Sequence, residues 1–349
     1  MGFRELFIEQ TRQHPSMEPQ DAVKLCYQAA FGAEHLLREE AAVYQYLEKE
    51  YGALEPDGSA LYEQIHPRMC RINLAAWKRE GLPLEWLFRM FADTAADPQE
   101  SGDGIFRECL DTVGLLAGQG AVPFSVEQWK GFLGTYPLCK PEAVHHSESY
   151  REKERPAYRL AGARYITMLP VLKAMADLPQ ERKLIAIDGR CASGKTTLTK
   201  RLARVTGAGA VHMDDFFLPP ELRRPERLEE PGGNVHYERF MEEVLPFVRN
   251  PQEFRYRCFD CGAMALGAER TVKEGNIRIV EGAYSCHPAF GDYMGLRVFC
   301  HVEPEEQLRR IKERNGEEML KSFQSMWIPM EERYFHYYRI REQAHLVLE

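Results

Sequence analysis

The most specific chemical signal in the sequence is a glycine-rich segment, residues 189–196 (GRCASGKT), which fits the spacing G-x-x-x-x-G-K-[ST]. Backbone N–H groups of such a loop can face phosphate oxygens, and the following helix adds the favourable end of its dipole. A lysine here reaches the terminal phosphates of a nucleotide, and the next hydroxyl can ligate Mg²⁺. We therefore predict a site for ATP and Mg²⁺, with nucleotide contacts from Gly189, Ala192, Ser193, Gly194, Lys195, Thr196 and Thr197.

Carboxylates follow this phosphate loop (residues 189–196) at the ends of two later apolar runs. Asp214 and Asp215 close one run, and Glu281 closes another. In a doubly wound sheet, strand ends face the ligand, so that Asp214 can accept a proton from a hydroxyl and Asp215 can help to shape the site. Glu281 can hold Mg²⁺ together with Thr196. The competing structural interpretations are an Asp pair that caps a turn and a solvated Glu at a strand end.

A basic helix completes the set of candidate residues. Arg310 and Arg314 are four positions apart on a predicted helix and therefore share a face, from which they can close over a phosphate. A basic helix face that is merely solvated remains the other interpretation. The sequence has neither the NKxD motif of GTPases nor an LSGGQ-like transporter signature. The sequence does not distinguish ATP from GTP.

The elements that must position these residues alternate between strand and helix in the C-terminal half. Short apolar runs predict strands, and amphipathic segments between them predict helices. This alternation indicates an α/β fold, a doubly wound parallel sheet that carries the phosphate loop. The predicted strands are 183–188, 210–213, 276–280, 296–302 and 345–348, and the predicted helices are 195–205, 236–248, 305–315 and 329–343.

The N-terminal half has a different pattern, mostly helical with few strand-like runs. Helices are predicted over 21–37, 82–92 and 156–176; Pro156 suits a first turn, and Pro170 marks a kink or break. A polar, proline-containing connection at 177–182 places the boundary near 178–182. We expect a mostly α-helical domain of unknown function over 1–178 and a kinase-type domain over 179–349.

Composition narrows the functional class. The 349 residues carry a net charge of −8; residues 1–180 hold 26 acidic and 19 basic side chains, and residues 181–349 hold 27 and 26. This balance disfavours nucleic-acid binding, and no apolar run is long enough to span a membrane. Nine scattered cysteines, with Cys258 and Cys261 as a lone C-x-x-C, indicate reduced thiols rather than a zinc site. We expect a cytoplasmic protein without a signal peptide; the sequence leaves a homo-oligomer open.

Residues 183–349 resemble the uridine kinase-like family of phosphate-loop kinases, which includes uridine/cytidine kinases, nicotinamide riboside kinases and bacterial pantothenate kinase. The resemblance rests on IAIDGRCASGKTTL, HMDDFF, IVEGAYS and LRRIKERNG, in family order. It implies transfer of the γ-phosphoryl group of ATP to a hydroxyl of a small molecule, with nucleosides first among the acceptors, ahead of other ribosides, pantothenate-like alcohols and sugars. It also implies that Asp214 is the catalytic aspartate, that Glu281 lies on the magnesium side and that Arg310 and Arg314 belong to a basic lid.

The resemblance also suggests acceptor residues, with one departure. Residues 254–260 (FRYRCFD), including Tyr256, fall where the family has an aromatic-aspartate stretch near the nucleoside, and 326–334 are similar to a Trp-x-Pro segment after the lid. The family's Asp-His-Pro-Asp-like segment is replaced by 231–238 (PGGNVHYE). His236 or Glu238 would then stand in for the ribose-binding acid, beside Tyr237.

The function of the N-terminal half remains open at this point. Three hypotheses compete for the whole protein: a small-molecule kinase with a helical domain that assists recognition, a bifunctional protein with a second activity in that domain, and a nucleotide-dependent regulatory or binding protein. Polar residues recur there, among them His35 and the 145–147 segment with Arg151, and the adjacent pair His145–His146 could form a metal or phosphate site. A half-buried structural histidine and a solvent-facing loop are the simpler interpretations, and Trp77 and Trp86 are expected in a core.

Overall fold

The computed structural model describes residues 1–33, 39–97, 102–179 and 183–349. The chain divides into two compact units, Met1–Ile166 and Thr167–Glu349. The helix Leu169–Asp177 lies in the second unit, so this division comes before the boundary predicted near 178–182. Among these residues, none of the helices combines the length and the apolar composition that a bilayer crossing requires.

Helices dominate the first unit, and one small sheet accompanies them. Helices α2 and α6 form much of its core, because α2 buries Val23, Cys26 and Ala30 at helical spacing. The elements are α1 (Phe3–Gln13), α2 (Pro19–Phe31), α3 (Glu40–Ala53), β1 (Tyr62–His66), β2 (Met69–Asn73), α4 (Leu74–Arg79), α5 (Leu84–Ala95), α6 (Gly102–Gly118), α7 (Val126–Leu133), α8 (Glu148–Glu154) and β3 (Tyr158–Gly162). Trp77 and Trp86 are buried.

The small sheet was not predicted from the sequence. Strand β2 lies at its centre and pairs antiparallel with β1 on one side and β3 on the other. The predicted helix over 156–176 is therefore wrong in its first part, because β2 supplies the hydrogen-bonding partner that makes Tyr158–Gly162 a strand. Pro170 does not kink a helix but lies in the first turn of one, where its missing N–H costs nothing.

The predicted helix over 21–37 ends earlier than expected. Helix α2 stops at Phe31, and Gly32 follows with a φ of 61°, a conformation that favours glycine. His35, predicted to be a half-buried structural histidine, lies outside the described residues.

The second unit alternates strands and helices, as predicted. It begins with a 3₁₀ turn and α9 (Leu169–Asp177). The remaining elements are β4 (Leu184–Gly189), α10 (Lys195–Thr206), β5 (Gly209–His212), α11 (Pro225–Glu229), α12 (Tyr237–Glu243), α13 (Leu245–Val248), β6 (Phe254–Asp260), β7 (Ala265–Val272), β8 (Arg278–Glu281), β9 (Leu296–Cys300), α14 (Pro304–Ser322), α15 (Ile328–Tyr337) and β10 (Leu346–Leu348).

Five strands form one parallel sheet in the order β10-β9-β4-β8-β5. This confirms the predicted fold class, and each of the five predicted strands matches an observed one to within two residues. Every residue of β4 is buried, as expected for a central parallel strand. Because all strands run the same way, the carboxyl ends of β4, β5 and β8 meet at one edge, where the phosphate loop begins.

Two features of this unit lie outside the parallel sheet. Strands β6 and β7 form an antiparallel hairpin. Helix α14 is interrupted at Gly316, whose φ of 81° and ψ of 173° are not helical, and a π-helical turn at Phe323–Trp327 joins it to α15. The predicted helices at 305–315 and 329–343 thus correspond to α14 and α15, with α14 longer and α15 shorter than expected.

Candidate active site

The phosphate loop connects β4 to α10 by a tight backbone path. Gly189 has a φ of 131°, and a Cβ there would lie 2.1 Å from the carbonyl oxygen of Cys300, so only glycine fits. The buried Lys195 Nζ donates to the carbonyl oxygens of Gly189 and Arg190, both at 2.7 Å. The loop therefore holds its cation close to its own backbone, at the start of a helix.

Asp188 anchors this loop to the rest of the unit. Its fully buried carboxylate accepts hydrogen bonds from the N–H of Gly189 (2.7 Å), Tyr284 (3.2 Å) and Cys286 (2.9 Å) and from the Tyr334 hydroxyl (2.9 Å). Burial raises the pKa of Asp188, and these donors oppose the shift. The loop, the turn after β8 and α15 are thus tied to one side chain that the sequence did not single out.

A cavity of about 650 Å³ opens beside the phosphate loop. It lies at the carboxyl edge of the sheet, and its volume suits a small-molecule ligand. It brings together the residues that sequence spacing predicted for phosphate chemistry: Lys195, Thr196, Thr197, Asp214, Glu281, Arg310 and Arg314, with Ala192 and Gly194 of the loop.

Glu281, which the sequence predicted to hold Mg²⁺, lies beside Thr196 at the edge of the cavity. It is buried, it lies opposite His212 in the β5–β8 register, and its Oε1 is 2.5 Å from His212 Nδ1. The Thr196 hydroxyl donates to its Oε2 at 3.4 Å. Hydroxyl and carboxylate oxygens suit Mg²⁺, which takes few protein ligands and fills its shell with water and phosphate oxygens. Over the described ranges, no cluster of three or more His, Cys, Asp or Glu side chains forms a metal site.

Asp214 and Asp215 are neighbours with opposite surroundings. Asp214 points into the cavity, is open to solvent there and, in the described part of the chain, makes no hydrogen bond. Desolvation by the surrounding protein raises the pKa of Asp214. The charge of Lys195 opposes this shift, and the charges of Glu281 and Asp215 add to it. A carboxylate with a raised pKa is a better proton acceptor.

Asp215 turns away from the cavity toward the β6–β7 hairpin. The Tyr256 hydroxyl donates to its Oδ2 at 2.8 Å, and Arg270 Nε forms an ion pair with the same oxygen at 2.8 Å. The Tyr256 oxygen also accepts the His212 N–H at 3.1 Å. Neither Asp215 nor Tyr256 lines the cavity. Both were predicted as substrate residues, whereas the structure places them in contacts that hold the hairpin to the sheet.

The residues predicted at the ribose position gather around Arg227 instead of the cavity. Arg227 forms two hydrogen bonds to the Glu238 carboxylate, at 2.7 and 3.0 Å, and its guanidinium lies 3.7 Å from the centre of the Tyr237 ring. The His236 side chain accepts the N–H of Arg239 and caps α12. Arg227 also donates to the Tyr237 hydroxyl, and none of His236, Tyr237 and Glu238 lines the cavity.

Asn234, in the same segment, does line the cavity and was missed. It is 5% exposed, and among the described residues neither its Oδ1 nor its Nδ2 has a hydrogen-bond partner of ordinary geometry, although the Tyr284 hydroxyl lies nearby. Within the same part of the chain, the buried Ser193 hydroxyl of the phosphate loop also has no partner. Buried polar atoms are normally paired, so orphaned ones beside a cavity indicate that a ligand completes them. The departure at 231–238 was the available sequence signal, but it led to the prediction of His236, Tyr237 and Glu238, whereas Asn234 is the residue of this segment that lines the cavity.

The basic helix contacts the phosphate loop directly. Arg310 Nη1 donates to the Ala192 carbonyl at 3.2 Å, and its Nε binds Glu306 at 2.7 Å. Arg314 Nε donates to Asn315 Oδ1 at 2.8 Å, two residues before the break at Gly316. Both arginines line the cavity, so the predicted shared face is present.

Glu331 is a further cavity residue that the sequence did not identify. Its side chain is buried in α15 and accepts the N–H of Cys191 in the phosphate loop at 2.8 Å. Burial raises the pKa of Glu331 to about 7, against the opposing effects of Lys195 and of the Cys191 N–H. The similarity of 326–334 to a post-lid segment was the available signal, but it did not point to this carboxyl.

Three solved structures are similar to about half of this chain. A possible uridine kinase from Bacillus stearothermophilus is 18% identical, with a TM-score of 0.42, over 53% of this chain and 98% of its own. A candidate fructose transport system kinase from Silicibacter sp. TM1040 is 21% identical, with a TM-score of 0.41, over 51% and 95%. Shikimate kinase from Bacteroides thetaiotaomicron is 22% identical, with a TM-score of 0.23, over 47% and 83%.

No family model matches the chain, and no curated protein matches it.

Proposed function

We propose that residues 179–349 form a kinase domain that transfers the γ-phosphoryl group of ATP to a hydroxyl of a small molecule. One observation carries the proposal: a single cavity holds the phosphate-loop lysine, an unpaired carboxylate, a Thr–Glu pair of oxygen ligands and two arginines. Phosphoryl transfer requires these parts, since its catalysis consists mainly of positioning and charge stabilisation.

The loop residues would bind the triphosphate. Backbone N–H groups between Gly189 and Thr197 and the start of α10 suit phosphate oxygens, and Lys195 would exchange its two carbonyl contacts for the terminal phosphates. Thr196 and Glu281 would hold Mg²⁺, which supplies charge neutralisation at the phosphate oxygens. Ser193, with its unpartnered hydroxyl, would add a further donor.

Asp214 would act on the acceptor. Its carboxylate has no competing hydrogen bond in the described residues, and its raised pKa favours acceptance of the hydroxyl proton as the new P–O bond forms. Arg310, already in contact with the loop, and Arg314 would stabilise the charge that develops on the transferring group.

The lining of the cavity favours an acceptor with a flat ring and hydroxyl groups, such as a nucleoside. The rings of Phe217 and Trp327 lie 5.8 Å apart, and Tyr284 and Phe323 also line the cavity, so a planar base has aromatic surfaces on which to stack. Asn234 offers one donor group and one acceptor group that a ribose hydroxyl can satisfy. A site built to pair with a hydroxyl discriminates strongly against ligands that lack one.

An ADP-release screen tests this proposal. The full chain, with Mg²⁺ and ATP, is assayed against nucleosides, other ribosides, pantothenate and sugars, with Lys195→Ala as the blank. We expect acceptor-stimulated ADP release with a nucleoside, none with Lys195→Ala, and about a tenfold to hundredfold higher acceptor KM with Asn234→Ala, whose KM for ATP should change little. Nucleotide binding without stimulation by any acceptor would instead favour a regulatory or binding protein.

A further inference from the structure

The first unit contains a cavity of about 890 Å³ between α3, the 145–146 segment and β3. One wall is apolar and includes Val43, Phe91 and Leu160, with the Tyr46 ring beside them. The cavity lies at the upper end of the usual size range for small-molecule sites. It is separate from the phosphate-loop cavity in every lining residue, and the proposed kinase reaction does not use it.

The polar floor of this cavity is a closed hydrogen-bond network. The Gln28 amide donates to the Tyr158 oxygen at 3.0 Å, and its carbonyl accepts from Arg71 Nε and Nη2 at 3.1 and 2.8 Å. His146 links the Tyr158 hydroxyl (2.7 Å) to the Asp21 carboxylate (2.8 Å). Such a network is rigid, so it can support a preformed site.

The protonation state of this floor follows from its partners. Burial lowers the pKa of His146 to about 4, so the ring is neutral at pH 7. Asp21 only accepts, so His146 Nδ1 carries the proton and donates to it, and Nε2 accepts from the Tyr158 hydroxyl. Both ring nitrogens are therefore occupied, which argues against a metal site at the 145–146 pair.

The described lining of the cavity contains more cationic than carboxylate side chains. Arg159 is paired with Glu50 at 2.7 Å. Within the described ranges, Lys24 donates only to the carbonyl of Val144, at 2.8 Å, and neither Arg151 nor Arg155 has an ion pair or a hydrogen bond from its guanidinium. Glu39 is the other carboxylate of the lining. Among the described lining residues, three cations without an ion pair thus accompany one carboxylate without an ion pair.

Buried positive charge behind the floor strengthens this imbalance. Arg71 is 3% exposed, lies 4.6 Å from the centre of the Tyr158 ring and, across the part of the chain that the structure describes, has no carboxylate within ion-pair distance. Burial, together with the charge of Arg71, lowers the pKa of Lys24 to about 8. Asp21, near Lys24, and Glu63, near Arg71, offset part of this positive potential, and a bound anion would offset more of it.

Backbone strain lies at the same place. The backbone of Arg155 has a φ of 45° and a ψ of 56°. Residues other than Gly, Asn and Asp seldom adopt this left-handed conformation. The conformation turns the chain from α8 into the approach to β3, beside the cavity. Strain of this kind is often retained at binding sites.

We propose that the first unit binds a small organic anion, a phosphate or carboxylate head on an apolar or aromatic body. The head lies among Lys24, Arg151 and Arg155, and the body packs against Val43, Tyr46 and Phe91. A polyanion such as nucleic acid is a poor fit, since residues 1–180 hold 26 acidic side chains against 19 basic ones and would repel it.

Calorimetric titration of the full chain tests this site. All proteins carry Lys195→Ala, which removes the phosphate-loop cation from the comparison. Phenyl phosphate and phenylacetate are the anionic probes, benzyl alcohol supplies the body without charge, and inorganic phosphate supplies a head without body. We expect one or both anionic probes to bind at least about tenfold more tightly than benzyl alcohol or inorganic phosphate. Their ratio distinguishes a phosphate head from a carboxylate head.

The variants locate the binding. Arg151→Gln/Arg155→Gln removes two exposed cations of the cavity and should weaken binding at least about tenfold. Arg107→Gln/Lys140→Gln removes two exposed cations outside the lining and should change it less than about twofold. Lys24→Gln, which can still donate to Val144, should weaken binding as well. Equal binding by both double variants, equal affinity for benzyl alcohol, or no binding of either anion at about 5 mM would overturn the proposal.

Discussion

The two cavities of this protein differ in what they leave unsatisfied. In the first unit, the floor made by Gln28, His146 and Tyr158 is fully hydrogen-bonded, and the surplus is one of positive charge. In the second unit, charges partly balance, and within the described residues the Asn234 amide has no hydrogen bond of ordinary geometry, although the Tyr284 hydroxyl lies nearby. A charge surplus selects ligands by sign and tolerates many shapes, whereas orphaned donors and acceptors select by geometry. The two proposals differ in the same way: the first cavity would bind an anion through its charge, and the second would orient an acceptor for reaction.

The variant Asp214→Asn gives the strongest test of the proposal that the second cavity, unlike the first, is catalytic. The amide keeps the size of the side chain but cannot accept a proton, so kcat should fall about 10²–10⁴-fold with the KM for ATP nearly unchanged. Steady-state ADP release with the acceptor found in the screen measures both constants. Asp215→Asn is the matched control: it weakens the contacts to Tyr256 and Arg270, so its melting temperature should fall while kcat stays within about tenfold of the parent. Equal losses of kcat in both variants would contradict the assignment.

Glu331→Gln tests whether ionisation of the buried Glu331 carboxyl destabilises the folded protein. The carboxyl has a pKa of about 7 in the folded chain against 4.5 ordinarily, so the folded state binds the proton more tightly. The free energy of unfolding therefore falls as the pH rises from about 4.5 to 7 and is level above that. Between pH 5 and 7.5, the parent should lose about 2.4 kcal/mol relative to the Gln variant. Denaturant unfolding without nucleotide measures this, and parallel pH profiles would show that Glu331 does not titrate in this range.

A smaller effect is expected at Arg155 in the first unit. Arg155→Gly and Arg155→Ala both remove the charge, but only glycine relieves the left-handed backbone, so the Gly variant should be more stable by about 1 kcal/mol. Thermal unfolding of the two variants measures the difference. Both should weaken phenyl phosphate binding equally if the guanidinium, rather than the backbone shape, holds the anion. Weaker binding in the Gly variant alone would assign the effect to loop conformation.

The sequence predicted the second unit better than the first. Strands β4, β5, β8, β9 and β10 are short apolar runs bounded by turns, and a buried parallel strand has that pattern whatever it pairs with. Strand β3 could not be found in this way. Tyr158–Gly162 has no alternating pattern, and its conformation depends on pairing with β2, more than eighty residues earlier in the chain.

For the sites, the sequence by itself determined the phosphate loop, because glycine, lysine and hydroxyl spacing fixes a local backbone path and its chemistry. It also predicted Asp214, Glu281 and the Arg310–Arg314 face, which lie at strand ends or on one helix and line one cavity in the structure. Tertiary structure alone decided that Asp215 faces the hairpin while Asp214 faces the cavity.

Tertiary structure also decided that Asn234 and Glu331 complete the second cavity and that cations converge in the first. His146 and Asp21, which help to build the floor of that first cavity, are 125 positions apart. Contacts at such separation depend on how whole elements pack, and local residue patterns carry no record of that packing.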